Sequence, residues 1–130
     1  MHGERAGEFA QRREQGNRAI LDEGNLSLRR FFAIDHDVYV DGALPRKDKE
    51  LQGLVASAVL RCNDCITYHL VQAKESGASR GEVVESLAVA LVVGGSIVIP
   101  HLRHAFDVLE ELWGEPRDGV SGKASERGKA

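Results

Sequence analysis

The segment Cys62-Asn63-Asp64-Cys65-Ile66-Thr67-Tyr68-His69 contains both cysteines of the chain. Two thiols three residues apart, followed one turn later by an imidazole, form a minimal unit for making and breaking a disulfide. On a helix, Cys62, Cys65 and His69 occupy positions i, i+3 and i+7 and point to one side. The thiolate is the reactive form of cysteine, and the first turn of a helix favours it through free backbone N–H groups and the helix dipole. His69 can accept the proton of Cys65 or stabilise its anion. The same side chains could instead supply three zinc ligands, with Glu50, His101 or His104 as a fourth. Structural zinc sites usually take ligand pairs from two segments, however, and no second Cys/His pair with that spacing occurs. An inert pair packed as small apolar residues is the third reading.

The elements that must position these residues read as helices throughout. Residues 1–24 form a polar, amphipathic helix stopping near Gly24, with Arg12, Arg13 and Arg18 on a solvated face. Asn25 or Ser27 caps a short helix through Leu28, Phe31, Phe32 and Ile34, and residues 35–44 form its end and a loop. Pro45 suits the first turn of a helix carrying Leu51, Leu54, Val55, Ala58 and Val59 at helical spacing. The cysteine helix begins at about Cys62, carries Ile66, Leu70, Val71 and Ala73, and stops at Gly77. Ser79 with Glu82 is a capping box opening the next helix. The β-branched run from Leu91 to Pro100 has no partner strand, so it reads as a buried helix that loosens at Gly94-Gly95 and restarts near Pro100. A last helix ends near Trp113, and the polar, Gly-rich residues 114–130 read as a disordered tail. The chain is therefore all-α, with about six or seven helices. Gly94-Gly95 either lets the backbone approach the cysteine helix or serves plain helix packing, Tyr68 lines the site or a subunit contact, and His101 and His104 fall at a surface or interface.

Glu50 lies in the preceding helix, twelve residues before Cys62. Taken alone, among Lys47, Asp48 and Lys49, it reads as a surface carboxylate. In an antiparallel hairpin of the two helices it comes alongside the His69 end, where a tilted crossing or a bridging water would join them. A carboxylate behind an imidazole holds its tautomer and relays protons.

Glu50, Cys62-Asn63-Asp64-Cys65 and His69 together resemble the E-x11-C-x-x-C-x-x-x-H signature of alkylhydroperoxidase D-like proteins of the carboxymuconolactone decarboxylase superfamily. The similarity covers about residues 25–113, which reads as one helical domain behind the N-terminal helix. The resemblance implies an all-α subunit that assembles into trimers or hexamers and reduces peroxides or exchanges disulfides. It further implies that Cys65 attacks the peroxide, that Cys62 condenses with the resulting sulfenic acid, and that Glu50 and His69 relay protons. Asp64 departs from the pattern, because the alkylhydroperoxidase D enzyme proper has a histidine there. A carboxylate beside Cys65 disfavours its thiolate unless it points away.

Composition sets the outer limits. The 130 residues suit one domain. Lys+Arg 17 against Asp+Glu 20 leaves a net charge of −3, which gives no footprint for nucleic acid. The longest apolar stretch, 87–100, is too short for a membrane span and is broken by two glycines. The charged N-terminus, without an apolar core, reads as cytoplasmic, where a CxxC pair is more often catalytic or metal-binding than a structural staple. Residues 87–99 carry more apolar surface than one small helical layer buries, which points to a homo-oligomer. The resulting expectation is a thiol-dependent peroxidase or disulfide oxidoreductase. It needs no metal, flavin or haem, because two sulfurs carry both electrons. Its partners would be a peroxide or disulfide substrate and an external dithiol protein or small thiol. The alternatives are a non-catalytic zinc-binding or interaction module and a decarboxylase acting on a lactone acid.

Overall fold

A computed structural model describes residues 4–114. These form α1 (Glu4–Asp22), α2 (Leu26–Val38), α3 (Arg46–Val59), α4 (Asn63–Glu75), α5 (Arg80–Gly94), a 3-10 turn (Ser96–Val98) and α6 (Ile99–Trp113). No strand occurs among the described residues, so the β-branched run after Leu91 is helical, as its lack of a pairing partner requires. The expected disordered tail lies, from residue 115 on, outside the described residues. Among the described residues no helix is long and apolar enough to cross a membrane.

Helix α3 is the centre of the fold, packed against α4 on one side and α5 on another, while α6 closes over α4. The contact surfaces are the apolar stripes that the spacing marks out. Leu54, Ile66, Leu70, Leu87, Val83, Val98, Val108 and Leu109 are all fully buried. Each such side chain contributes about 1.5–3 kcal/mol relative to exposure. Helix α1 joins this core through buried Ala6, whose N–H donates to Glu111 Oε1 at 3.0 Å, and through the Arg5–Glu111 ion pair at 3.2 Å.

Caps account for the boundaries. The Asn25 side chain accepts the N–H of Leu28, and Ser79 and Glu82 form the full capping box of α5. The Ser79 N–H and then the Lys47 ammonium hold the Glu82 carboxyl below its ordinary value. That contribution is complete above the ordinary carboxylate pKa and is lost as pH falls through the depressed one. Pro45 stands one position earlier than its composition suggests. Its backbone is extended (ψ 157°) just before α3, and its carbonyl accepts the N–H of Lys49 at 3.2 Å.

The link from α3 to α4 decides where the first cysteine stands. The N–H of Cys62 donates to Ser57 O and that of Arg61 to Ala58 O, both at 3.0 Å. This is a Schellman closure, with Arg61 at the left-handed position usually held by glycine (φ 61°). A non-glycine residue there costs about 1–2 kcal/mol, so α3 turns directly into the cysteine segment at the expense of local strain. A Cβ at Gly94 would collide with the Val98 side chain of the 3-10 turn and would meet the end of α3 in ordinary contact, 3.7 Å from Val59 Cα, so its small size serves helix packing there.

Candidate functional site

Cys62 caps α4. Its backbone is extended (φ −106°, ψ 99°), and its Sγ accepts the N–H of Cys65 at 3.2 Å. The two cysteines are joined as a disulfide, with their Cα atoms 5.3 Å apart. Cys65 is exposed and Cys62 is partly covered. An incoming nucleophile therefore meets Cys65 first, while Cys62 has the N–H donor that would stabilise a departing thiolate.

One turn further on, His69 is buried at 9% exposure and Glu50 at 1%. His69 Nδ1 and Glu50 Oε1 are 2.9 Å apart, a direct hydrogen bond with no bridging group. The hairpin allows it because Glu50 and His69 sit at nearly matched heights above the α3–α4 turn. An offset of about three residues is roughly 4.5 Å, within the reach of two long side chains. The carboxylate accepts from Nδ1–H, which leaves Nε2 as the ring's free proton acceptor. The other carboxylate oxygen, Oε2, is 3.5 Å from Arg46 Nε, and the same guanidinium donates to Gln72 Oε1. The N–H of Arg46 is tied to Asp41 Oδ1 at 2.7 Å.

Three residues frame the His69 ring, and of these the sequence singles out only Tyr68. Tyr39, at the end of α2, lies 5.5 Å from it between ring centroids, and Tyr68 lies edge-on at 5.1 Å. Gly53 forms the third wall, where a Cβ would come within 2.6 Å of the ring. Burial raises the Tyr39 phenol above its ordinary value, and the Glu50 charge raises it further. Burial also raises Tyr68, with Arg13 opposing. Both phenols therefore remain neutral beside the imidazole.

A cavity of about 520 Å³ opens over this group, with Cys65, His69, Tyr68 and Asp64 in one wall and Phe9, Arg12, Arg13 and Asn17 of α1 in another. Tyr68 thus lines the site. Of the three arginines expected on a solvated face, Arg12 and Arg13 reach it too, and the Arg13 guanidinium lies 4.0 Å above the Tyr68 ring. Asp64 does not point away from the site. It is exposed in the same cavity wall as Cys65.

His101 and His104, both half-buried, bond to side chains of the first two turns of α4. His101 Nδ1 bonds Asn63 Oδ1 at 2.8 Å, and His104 Nε2 bonds Thr67 Oγ1 at 2.7 Å. The Thr67 hydroxyl in turn donates to Asn63 O. Burial, then the nearby Arg5, lowers the His104 pKa and favours its neutral form. Among the described residues no group of three His, Cys, Asp or Glu side chains is placed to share a metal ion.

Comparison with known proteins follows the same geometry. The profile of the carboxymuconolactone decarboxylase family matches residues 25–111. An uncharacterized protein of the cox locus of Paracoccus denitrificans is 31% identical over 84 residues, 65% of this chain and 76% of its own length. Crystal structures of a Thermotoga maritima protein are similar throughout. One is 56% identical with a TM-score of 0.79, covering 81% of this chain and 92% of that one. A second is 48% identical with a TM-score of 0.75, covering 95% and 97%. That protein is described as of the carboxymuconolactone decarboxylase family, with a suggested part in the antioxidative response. A Legionella pneumophila protein of the carboxymuconolactone decarboxylase family shares the fold at 22% identity, with a TM-score of 0.72 over 87% of this chain and 100% of that one.

Proposed function

We propose that this chain, which belongs to the carboxymuconolactone decarboxylase family, is a thiol-dependent peroxidase that cycles Cys62 and Cys65 between dithiol and disulfide. The observation that carries the reading is the buried Glu50–His69 hydrogen bond, whose His69 end stands in the wall of the cavity where the disulfide exposes Cys65. In the dithiol state the Cys65 thiolate attacks the outer oxygen of a hydroperoxide. The O–O bond breaks, the alcohol leaves, and Cys65 becomes a sulfenic acid. Cys62 then attacks that sulfur and water departs, giving the disulfide. Two external thiols restore the pair and leave as their own disulfide. His69 takes the proton from Cys65 and returns one to the leaving oxygen, while Glu50 fixes the imidazole tautomer. The antioxidative role suggested for the Thermotoga protein supports this reading. Decarboxylation of a lactone acid has no comparable support, because it gives the sulfur pair no task.

The test follows peroxide consumption with a dithiol donor and counts free thiols in the reduced protein before and after one equivalent of peroxide. We expect catalytic consumption and the loss of two thiols per chain. Inert thiols, or consumption no faster than with donor alone, would refute the reading.

The proposal extends to assembly. Helix α2 buries none of its residues and presents Leu28, Phe31, Ile34 and Val38 to solvent. Val89, Val92, Val93, Ile97 and Ile99 add a second exposed apolar face. Faces of this kind mark contacts between chains. Sedimentation equilibrium is expected to give a trimer or hexamer of the 14.2 kDa chain, and a monomer at micromolar concentration would overturn this.

A further inference from the structure

The cavity over Cys65 has more charge and more room than a peroxide uses. Its volume, about 520 Å³, falls within the range of small-molecule binding sites. One water molecule occupies about 30 Å³, so a substrate the size of hydrogen peroxide would leave most of the cavity unfilled. Arg12 and Arg13 bring two cations from α1, while Asp35 of α2 and Asp64 of α4 bring two carboxylates. Among the described residues none of the four makes an ion pair with another side chain. All four are exposed, yet they share one concavity whose reactive atom is the Cys65 sulfur. A ligand with one sign of charge would satisfy half of this set and meet repulsion from the rest.

We infer that the cavity takes the reductant of the cycle, and that this reductant is a small amino-acid or short-peptide thiol carrying both a carboxylate and an ammonium group. The inference rests on the thiol–disulfide reading above. The carboxylate pairs with Arg12 and Arg13, the ammonium with Asp35 and Asp64, and the thiol is thereby brought to Cys65. The first ligand thiolate attacks Cys65 Sγ. A new S–S bond forms, the Cys62–Cys65 bond breaks, and its electron pair leaves on Cys62, whose sulfur already accepts the Cys65 N–H. A second ligand thiolate attacks the ligand sulfur of the mixed disulfide and releases Cys65. Two thiols are oxidised to one ligand disulfide, the protein disulfide is reduced, and the two thiol protons pass to the cysteines or to solvent.

The test measures second-order rate constants for reduction of the oxidised protein by cysteine, cysteamine, 3-mercaptopropionate and 2-mercaptoethanol, each expressed per thiolate and corrected for thiol basicity. Cysteine is expected to exceed cysteamine and 3-mercaptopropionate, which each lack one of the two exposed charge pairs, by about two- to fivefold, and 2-mercaptoethanol, which lacks both, by about five- to tenfold. In Arg12→Gln/Arg13→Gln the cysteine-to-cysteamine ratio should fall to about one, and in Asp35→Asn/Asp64→Asn the cysteine-to-mercaptopropionate ratio should fall likewise. Equal constants for all four thiols, or ratios unchanged in both variants, would overturn the inference while leaving the redox cycle standing. A disulfide that no thiol reduces would remove the cycle itself.

Discussion

Replacing Cys65 with serine is expected to bring thiol-dependent peroxide consumption to the uncatalysed level, a fall of about a thousandfold or more, because the whole covalent path begins at that sulfur. Cys62→Ser is expected to behave differently. Cys65 is exposed to the cavity and Cys62 is partly covered at the helix cap, so the peroxide step survives without Cys62 and only the condensation is lost. Without donor thiol, Cys62→Ser should therefore consume one equivalent of peroxide, hold a sulfenic acid that a cyclic dione traps at Cys65, and then stall. Cys65→Ser should give no adduct. The helix cap sharpens the contrast, since the donor to Cys62 Sγ is the N–H of residue 65 itself and serine leaves that N–H in place. Both variants should keep the fold, because neither sulfur belongs to the buried core. Equal rates for Cys65→Ser and the wild type, or a trapped adduct on Cys62 in Cys65→Ser, would refute the assignment.

Much of this arrangement is legible in the order of the residues. The apolar stripes of α3 to α6, the Ser79–Glu82 box and the lack of strand pairing all follow from local spacing and capping. Glu50 illustrates what spacing conceals and what it offers. Its neighbours Lys47, Asp48 and Lys49 make it look like a surface residue, yet it shares the stripe of Leu54, Ser57 and Ala58, all buried with it. A carboxylate on a core stripe is costly unless paired, and that cost is the local sign of a partner on the facing helix. His69 sits likewise among buried Ile66, Leu70 and Ala73. Tyr39 and the arginines of α1 carry no such sign. Their contacts depend on how α1 and α2 fold back over α4, a tertiary choice that no periodicity within either helix encodes.

Gly53 is the least legible residue of the site and the subject of the second large effect. In sequence it is only a weak point in a helix, where alanine would add up to about 1 kcal/mol through propensity. In the structure a Cβ there would lie 2.6 Å from His69 Cε1 and 2.8 Å from each ring nitrogen. The ring is the flexible end of its side chain, but Tyr39 and Tyr68 pack beside it and Glu50 binds Nδ1. It can clear an alanine only by giving up the 2.9 Å bond to Glu50. That leaves a buried carboxylate with only the 3.5 Å Arg46 contact, at a cost of about 1–3 kcal/mol. The propensity gain and this loss partly offset, so thermal stability should shift by only a few degrees, roughly what 1–2 kcal/mol gives a domain of this size. Turnover should fall much further, by about a hundredfold, the lower range for losing a positioned acid–base group. His69→Ala should show a similar fall, and the double variant should be no worse than either single one, because both changes disable the same relay. Independent effects would multiply to about ten-thousandfold, and that result, or a Gly53→Ala variant of wild-type rate, would show that the glycine is not what holds the imidazole in register with Glu50.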